Sequence, residues 1–543
     1  MDKGQQVLRD AHRNRGTAFS VEERRALGLT GRLPAAVETL TSQVSRAYAQ
    51  LGEQPDDLAK YVFLNALHDR NEILYFRLLT DHLAELLPIV YDPTIGDAIE
   101  HWSNEYRRSR AVYLSIDAVD DVRAAFETLE LGPDDVDLIV CSDAEEILGI
   151  GDWGVNGTDI AVGKLAIYTA AAGIDPNRVI AVNLDVGTDN QKLLDDPAYL
   201  GNRHPRVRGD RYDHLIDTYL TVATELFPTA LLHFEDFGPS NARRILVEHG
   251  DDHRIFNDDM QGTGAIVLAA VISGLRVTGQ SFSDQRLVVF GAGTAGTGMA
   301  DQITAAMVRD GLSESDARAR VWLIDKDGLV SDDMEELPDY QQVYARPASD
   351  RAEFGDGTVG LQEVVETVRP TILIGTSTVS GAFTREVIRA LCDGVDRPIL
   401  LPLSNPTSRI EVMPHDAVVW SDGAALIATG IPADPVDHDG VTYRIGQGNN
   451  ALLYPGLGLG TIVAGASRVT DGMLLAAAEA VAGQVDVSER GASLLPPVED
   501  LRRSSATVAA AVAKAAADDG VATCIHDDLE AAVHEAMWVA EYP

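Results

Sequence analysis

The sequence is poor in cysteine, in long uncharged runs and in positive charge, and each shortage excludes a class of protein. Its 543 residues include three cysteines that form no CxxC pair, so neither a disulfide framework nor a structural zinc site is expected. The amino end has no apolar run typical of a signal peptide, which predicts a cytoplasmic protein. The longest uncharged stretch includes 447–467, which contains asparagines, a proline and repeated glycines; we interpret this segment as buried and turn-rich, not membrane-spanning.

Positive charge is outnumbered almost two to one. Lysine and arginine total 44 against 84 acidic residues, so the formal net charge is −40, and only six of the basic residues are lysines. Such a surface repels phosphate backbones, which argues against nucleic acid as a partner. The acidity fits either adaptation to high salt or an ordinary acidic cytosolic enzyme. With 45% hydrophobic residues, the chain can build two to four domains with large cores.

The first hundred residues are typical of helices, because apolar residues recur at i, i+3 and i+4 over 37–51 and 56–87. Pro88 is predicted to end this pattern and to open a loop, LPIVYDPTIG. From about residue 111, short β-branched runs alternate with helical patterns, which predicts a parallel sheet with crossover helices. The candidate strands of this region are 137–143, 179–187, 230–236 and 253–259, and its clearest helices are 163–173 and 211–227.

A second alternating region follows and predicts a separate doubly wound domain. The fold class is therefore α/β, with Ala-rich helices over 471–482 and 505–518 near the end of the chain. The candidate strands of the second region lie within 286–296, 321–328, 371–377, 399–406 and 425–430.

A glycine-rich turn joins the first of these strands to a helix. Gly291, Gly293 and Gly296, with Ala295 between the last two, would let a pyrophosphate approach the backbone at a helix amino end. The next apolar run ends in Asp325, where a carboxylate can bind a ribose hydroxyl and repel a 2′-phosphate, so we favour NAD over NADP. The alternatives are a tight turn without a ligand and, for Asp325, a cap or turn acid.

Two acid pairs each end an apolar run: Glu235-Asp236 and Asp258-Asp259. Parallel strands bring their carboxyl ends to one edge of a sheet, where ligands collect. Packed carboxylates repel each other unless a cation neutralises them, and such hard oxygen ligands suit Mg²⁺ or Mn²⁺. Either pair alone could also be a solvated loop in so acidic a chain.

Several other polar residues stand in apolar or glycine-rich surroundings. Lys164 lies at the start of an apolar helix pattern, where burial near a cation would favour a neutral, basic amine; the alternative is a surface lysine. Tyr91 lies in the predicted loop and could instead be a core aromatic. Asn405, Asn449 and Asn450 follow predicted strands or open the glycine-rich segment, where amides orient a carboxylate or nicotinamide or simply form turns.

Taken together, these segments resemble the malic enzyme family and its near relatives, the malolactic enzymes. The resemblance runs from about residue 15 to about residue 500 and rests on motifs that occur in order: LPIVYDPTIG, ILGIGDWG, GKLAIYTAAAG, HFEDFG, FNDDMQGTG, FGAGTAG, PLSNPTS and GQGNNALLYPGLGLG. It implies a helical entry domain, a substrate and metal domain split in sequence, an inserted Rossmann-like NAD domain and a tail. We expect these parts at 1–110, 111–257 with 451–515, 258–450 and 516–543.

The resemblance also implies roles for individual residues. It implies oxidative decarboxylation of L-malate to pyruvate and CO₂ by a homodimer or homotetramer that uses NAD and a divalent metal. Lys164 resembles the general base, with Asp258 beside it, and Tyr91 resembles the general acid. The remaining roles are the metal ligands Glu235, Asp236 and Asp259, the cofactor-binding Gly291, Gly293, Ala295, Gly296, Asp325 and Asn405, and the substrate-facing Asn405, Asn449 and Asn450.

One segment departs from the family pattern. Many members carry an arginine for a malate carboxylate where this chain has Glu146, so either Glu146 turns away from the substrate or another cation substitutes for the arginine. Arg110, Arg203 or another arginine would then have to supply the positive charge. Two other hypotheses stay open: a malolactic enzyme that converts malate to lactate on bound NAD, and a catalytically silent NAD-binding regulator.

Overall fold

The computed structural model describes residues 3–147, 149–351, 354 and 358–543. The chain forms two compact units, which we call unit 1 (Met1–Phe237 with Ala531–Pro543) and unit 2 (Gly238–Glu530). Leu148, within the ILGIGDWG motif, lies outside the described residues. The domain limits expected above stay a prediction.

Unit 1 begins with a run of helices, as the apolar spacing predicts. Polar side chains fix several of their starts: Thr39, Asp56 and Asn71 each accept a hydrogen bond from a backbone N–H of the first turn that follows. The described helices of unit 1 are α1 Lys3–Arg9, α2 Val21–Ala26, α3 Leu40–Gly52, α4 Asp57–His68, α5 Glu72–Asp81, α6 Leu83–Val90, α7 Thr94–Glu105, α8 Val122–Glu127, α9 Thr158–Ile167, α10 Gln191–Asp195 and α11 Asp210–Leu226. A last helix, α24 Leu529–Ala536, lies mostly in this unit.

The predicted loop at Pro88 is wrong. Pro88 lies inside α6, and only three residues, 91–93, separate that helix from α7. A proline in a helix removes one hydrogen bond, yet α6 persists because the next bond is made: the backbone N–H of Tyr91 donates to the carbonyl of Leu87 at 3.0 Å. Burial of the apolar side chains on either side of Pro88, Leu87 and Ile89 among them, outweighs the lost hydrogen bond.

The sheet of unit 1 confirms three predicted strands of the first alternating region, those at 137–143, 179–187 and 230–236. Its strands pair in parallel, in the order β1-β3-β2-β4. Buried apolar side chains dominate the central strands, as in a sheet covered on both faces. The strands are β1 Ala111–Ser115, β2 Leu138–Ser142, β3 Val179–Asp185 and β4 Leu231–Phe234. Helix α9 continues without a break into a π-turn, Tyr168–Ala172, a feature common at functional sites.

Unit 2 contains the predicted doubly wound sheet. Its order is β14-β11-β10-β9-β6-β7-β8, with parallel pairs except β7 with β8. The strand order reverses between β6 and β9, which is where such sheets bind ligands. The strands of the unit are β5 Ile255–Asn257, β6 Leu287–Phe290, β7 Val321–Asp325, β8 Gly328–Leu329, β9 Ile372–Gly375, β10 Ile399–Pro402, β11 Leu426–Thr429, β12 Val436–His438, β13 Val441–Tyr443 and β14 Gly446–Gln447.

The helices of unit 2 surround this sheet or pack on one another. They are α12 Pro239–His249, α13 Thr263–Thr278, α14 Thr294–Arg309, α15 Glu314–Arg318, α16 Asp339–Gln342, α17 Ala348–Arg351, α18 Leu361–Val368, α19 Arg385–Gly394, α20 Pro414–Trp420, α21 Tyr454–Val463, α22 Asp471–Gly483 and α23 Leu501–Asp518. The helical stretch Asp258–Thr278 is long and apolar enough to cross a membrane, but 72% of its most apolar window is buried within the fold. That burial is typical of a core helix.

The segment 447–467 is buried as predicted, but much of it is helix α21 and not a series of turns. Its glycines permit close packing between helices. A Cβ at Gly456 would lie 2.6 Å from Val508 Cβ, and one at Gly460 would lie 2.5 Å from the carbonyl oxygen of Ala509, both on α23. The glycines therefore favour contact with α23 more than they weaken the helix.

Candidate active site

Unit 1 gathers three of the predicted residues around one carboxylate. Glu235 follows β4, Lys164 comes from α9, and Tyr91 comes directly after α6. Lys164 Nζ lies 2.8 Å from Glu235 Oε1, and the Tyr91 hydroxyl donates to the same oxygen at 3.0 Å. Lys164 Nζ also lies 5.0 Å from the centre of the Tyr91 ring. The amine and the phenol are thus each within hydrogen-bonding distance of the same carboxylate oxygen.

This group is almost completely withdrawn from water. Lys164 and Glu235 are each 2% exposed. Burial alone would raise the pKa of Glu235, but the Lys164 ammonium and the His233 ring outweigh burial and hold that pKa low. Glu235 is therefore a carboxylate that can ligate a cation. The alternative of Lys164 as a surface lysine is excluded by its burial.

Two residues that the sequence analysis missed, His233 and Tyr168, form a hydrogen-bonded chain that ends at Glu235 Oε2. His233 Nε2 donates to Glu235 Oε2 at 2.7 Å, which leaves Nδ1 as the acceptor for the Tyr168 hydroxyl at 2.8 Å. Both are fully buried. A signal was available: His233 lies two residues before Glu235, and residues two apart on a strand share a face. Tyr168 had no comparable signal, because it contacts His233 only through the fold.

Asp236 has an unusual backbone conformation. Its φ is +53°, a left-handed value that non-glycine residues rarely adopt and that costs free energy. Its carbonyl accepts a hydrogen bond of 3.3 Å from the backbone N–H of Glu146. The Glu146 side chain itself is exposed, which agrees with the expectation that it turns away.

The two arginines considered as malate ligands are used elsewhere in unit 1. Arg110 donates to Asp69 at 2.6 Å and to the carbonyl of Asn65. Arg203 donates to the carbonyls of Pro197 and Tyr199.

A third arginine, Arg206, contacts the segment 143–146, which differs from the family pattern. The Arg206 side chain is fully buried, donates to Asp152 Oδ1 at 2.8 Å and donates to the carbonyl of Asp143 at 3.0 Å. Burial raises the pKa of Asp143 to about 6, even though Arg206 and the Tyr212 hydroxyl both oppose that rise. Arg206 therefore holds the strand-end turn at 143–146 in place.

In unit 2, Asp258 occupies a crowded turn. It begins a π-turn, Asp258–Gly262, directly after β5, and is 0% exposed. The Asn450 amide donates to Asp258 Oδ2 at 3.1 Å and to Thr263 Oγ1 at 2.9 Å. A Cβ at Gly262 would lie 1.9 Å from Asp258 Oδ1, so a larger residue there would displace the carboxylate. Asp259 follows with a partly buried side chain.

The glycine-rich turn has the geometry expected of a pyrophosphate site. Gly291 has φ +104°, and a Cβ there would lie 2.5 Å from the carbonyl carbon of Thr376. A Cβ at Gly296 would lie 2.2 Å from the carbonyl oxygen of Gly291. At Gly293, by contrast, a Cβ would meet no described atom within 4 Å, so the space above the amino end of α14 is open for a ligand. Ala295 lies in the first turn of that helix.

Asp325 ends β7 and is held by a residue that the sequence analysis missed. Gln341, in the short helix α16, donates to Asp325 Oδ2 at 2.7 Å and to the carbonyl of Ala292 at 2.7 Å. Gln341 is 4% exposed. Gln341 thereby connects Asp325, the carboxylate expected to bind a ribose hydroxyl, to the glycine-rich turn.

The remaining amides differ in exposure and use. Asn405 is exposed in the loop after β10. Asn449 accepts a hydrogen bond from the backbone N–H of Ala451 and caps a short turn. This is the turn-forming role that the sequence analysis gave as the alternative to ligand binding. Asn450 instead orients Asp258, as described.

Comparison with protein families agrees with this arrangement. The family model described as "Malic enzyme, N-terminal domain" matches residues 68–250, and the one described as "Malic enzyme, NAD binding domain" matches residues 260–517.

Comparison with individual proteins extends over nearly the whole chain. The chain is 55% identical to NAD-dependent malic enzyme 3 of Bacillus subtilis (strain 168), over 99% of this chain and 96% of that protein. It is 46% identical to the malolactic enzyme of Lactiplantibacillus plantarum, over 99% and 98%. Among solved structures, the malic enzyme of Entamoeba histolytica has the same fold: the TM-score is 0.57 and the identity 20%, over 94% of this chain and 90% of that one.

Proposed function

Because the chain belongs to the malic enzyme family, we propose that it oxidises and decarboxylates L-malate to pyruvate and CO₂ while it reduces NAD. The observation that carries this proposal is 55% identity to an NAD-dependent malic enzyme over 99% of the chain. The buried contact of Lys164, Tyr91 and Glu235 supplies acid–base groups that this reaction needs. The regulator hypothesis gives no reason to bury these groups together.

Lys164 is proposed as the general base that takes the proton of the malate hydroxyl as hydride leaves C2 for the nicotinamide. Lys164 forms an ion pair with the Glu235 carboxylate, so it must leave that pair and release its ammonium proton to solvent before it can act as a neutral base; a divalent cation at Glu235 would favour that loss. Tyr91 is proposed as the acid that protonates the enol carbon after CO₂ departs. The proton that Lys164 takes from the hydroxyl would then pass to Tyr91 after Tyr91 has protonated the enol carbon, which returns both side chains to their starting states; both contact Glu235 Oε1.

Glu235, Asp236 and Asp259 are proposed as the metal ligands. Glu235 and Asp236 are adjacent buried carboxylates, and the low pKa of Glu235 keeps its oxygens ionised, which fits a hard divalent cation. When bound, Mg²⁺ or Mn²⁺ would polarise the carbonyl of the oxidised substrate and stabilise negative charge as CO₂ leaves. His233 would fix which Glu235 oxygen faces that cation.

Cofactor and substrate groups are proposed on unit 2. The turn at Gly291, Gly293, Ala295 and Gly296 would bind the pyrophosphate of NAD, and Asp325 a ribose hydroxyl. Asn405 would contact the nicotinamide or the substrate. Asp258 and Asn450 would act together, because the amide fixes the carboxylate, while Asn449 would support the turn that carries Asn450.

A malolactic reaction is the second candidate, favoured by 46% identity to a malolactic enzyme over 99% of the chain. One assay separates the two: purified protein is incubated with Mn²⁺, NAD and L-malate, and pyruvate, lactate and NADH are quantified. We expect NADH and pyruvate in equal amounts. Lactate without net NADH would support the malolactic reaction instead. Absence of both products with Mn²⁺ and with Mg²⁺ would contradict both.

We further propose that the protein is cytoplasmic and works as a homodimer or homotetramer. Its apolar stretches are buried within the fold, and its acidic surface is compatible with a small-molecule substrate in the cytosol. Light scattering would give the assembly, with a monomer at assay concentration as the contradicting result. Turnover measured across a salt series would test adaptation to high salt, which predicts loss of activity at low salt.

A further inference from the structure

One fully buried carboxylate in unit 2 has no part in the chemistry proposed above. Glu411 is 0% exposed and lies between the loops that follow β9 and β10. Among the described residues, the structure gives it no ion pair with lysine, arginine or histidine. Instead, Ser377 donates to Oε1 twice, from its backbone N–H at 2.8 Å and from its hydroxyl at 2.9 Å. Ser404 donates its hydroxyl to Oε1 and its backbone N–H to Oε2 at 3.3 Å.

Every hydrogen bond to Glu411 is donated by its partner, and the bonds that the two serine hydroxyls accept leave their protons free to point to Glu411. The Ser377 hydroxyl accepts from the backbone N–H of Val379, and the Ser404 hydroxyl accepts from that of Thr378. Both hydroxyl protons can therefore point to Glu411, whose two oxygens only accept. An amide in its place would set an NH₂ group against one of the two backbone N–H donors, whichever way it turned.

These two loops lie where the nicotinamide half of NAD belongs. Asp325 ends β7 on one side of β6, and β9 and β10 lie on the other side. With the pyrophosphate at the turn after β6 and the adenosine ribose at Asp325, the other half of the dinucleotide must cross toward β9 and β10. Asn405 follows Ser404 directly, and the Thr376 hydroxyl donates to the carbonyl of Gly291 at 2.7 Å.

We propose that Glu411 is a positioning residue for the nicotinamide of NAD. It joins the loop that begins at Thr376 to the loop that carries Asn405, and so fixes both against the glycine-rich turn. A carboxylate suits this position because its two oxygens can accept all four hydrogen bonds from Ser377 and Ser404 at once. Because these donors are neutral, proton transfers during the reaction leave the position of Glu411 unaffected. This inference rests on the proposed function, since it assumes that NAD is the ligand.

The test compares two ligands that differ in the nicotinamide ring. Dissociation constants for NAD and for ADP-ribose, which lacks the ring, are measured by calorimetry on the full-length protein and on Glu411→Gln. We expect the variant to bind NAD about tenfold more weakly, the loss typical of a disrupted charged hydrogen bond, and to bind ADP-ribose within twofold of the parent. Glu386→Gln, an exposed change in the first turn of α19, is the matched control and should change neither constant.

Equal weakening of NAD and ADP-ribose binding would show a merely structural role and overturn the proposal, and so would unchanged binding of both. If Glu411→Gln does not fold, Ser404→Ala removes one donor and should weaken NAD binding about threefold with ADP-ribose unaffected; the same two contrary results apply. Because binding is measured without malate, a protein that binds NAD but does not turn malate over would contradict the proposed function and leave this inference standing.

Discussion

Glu235 in unit 1 and Glu411 in unit 2 are both almost fully buried carboxylates, yet they are stabilised in different ways. Glu235 is held by an ammonium and an imidazole, groups that can lose or gain a proton. Glu411 is held by serine hydroxyls and backbone N–H groups, which do not titrate in the physiological range. The comparison teaches that the two buried carboxylates differ in their partners: those of Glu235 can exchange protons, as the proposed chemistry needs, whereas those of Glu411 can only hold its position.

The largest expected effect comes from removing the Lys164 ammonium that pairs with Glu235. Lys164→Ala deletes the proposed base, and kcat should fall by about two to four orders of magnitude, the usual contribution of a general base. NAD affinity should change little, because Lys164 is proposed to act on the malate hydroxyl, whereas the groups proposed to bind NAD belong to the glycine-rich turn and to β7. Steady-state turnover and NAD titration measure the two quantities.

Lys192→Ala is the control for that change, since Lys192 is an exposed lysine in α10 of the same unit. It should leave kcat unchanged. A Lys164→Ala protein with near-parental kcat would remove Lys164 from the mechanism and would end the distinction drawn between the two carboxylates.

Glu72 offers an intermediate case, a buried carboxylate held by His12 at 2.7 Å and by His68 at 3.6 Å. Burial raises its pKa, but the hydrogen bonds of the two histidines outweigh burial and lower it from 4.5 to about 2. Because the folded-state pKa is lowered, the ionised group adds stability above pH 4.5 that is lost as the pH falls toward 2. Glu72→Gln should therefore cost up to about 3 kcal/mol of unfolding free energy near pH 5.5, where Glu72 is ionised and His12 is protonated, and progressively less below pH 4.5.

Denaturant unfolding between pH 7 and pH 3 measures this cost. Glu127→Gln, an exposed change in α8, should show no such pH dependence. A cost for Glu72→Gln that stays constant with pH would show that the side chain stabilises the fold through packing and not through its charge.

The smallest effect is expected at Asp325, a partly exposed carboxylate held by the neutral amide of Gln341. Asp325→Asn keeps the size of the side chain and removes the charge that repels a 2′-phosphate. The ratio of kcat/KM for NAD to that for NADP should fall about tenfold, or about 1.4 kcal/mol. An unchanged ratio would assign cofactor choice to other residues; Asp327→Asn, two positions further along the chain, is the control.

Much of the fold could be predicted from the sequence, because hydrophobic period and turn residues are local properties. The runs that end at Glu235 and Asp325 both proved to be strands of parallel sheets. Pro88 was misjudged since its local preference was overridden by burial of the surrounding helix, which depends on the whole unit.

The candidate site divides in the same way. Lys164 and Tyr91 could be singled out because their motifs are unusual, but their common contact with Glu235 spans 71 and 144 residues of sequence and appears only in the fold. Gln341 and Glu411 carry no local signal, since glutamine and glutamate are ordinary surface residues in so acidic a chain. What made them important is burial, which no short pattern in this sequence encodes.

The turn at Asp258 has a consequence for any effort to redesign this protein. No room exists beside the Asp258 carboxylate for even a methyl group at position 262. A library that randomises the turn should therefore be enriched in glycine at that codon, because any larger residue there displaces the Asp258 carboxylate.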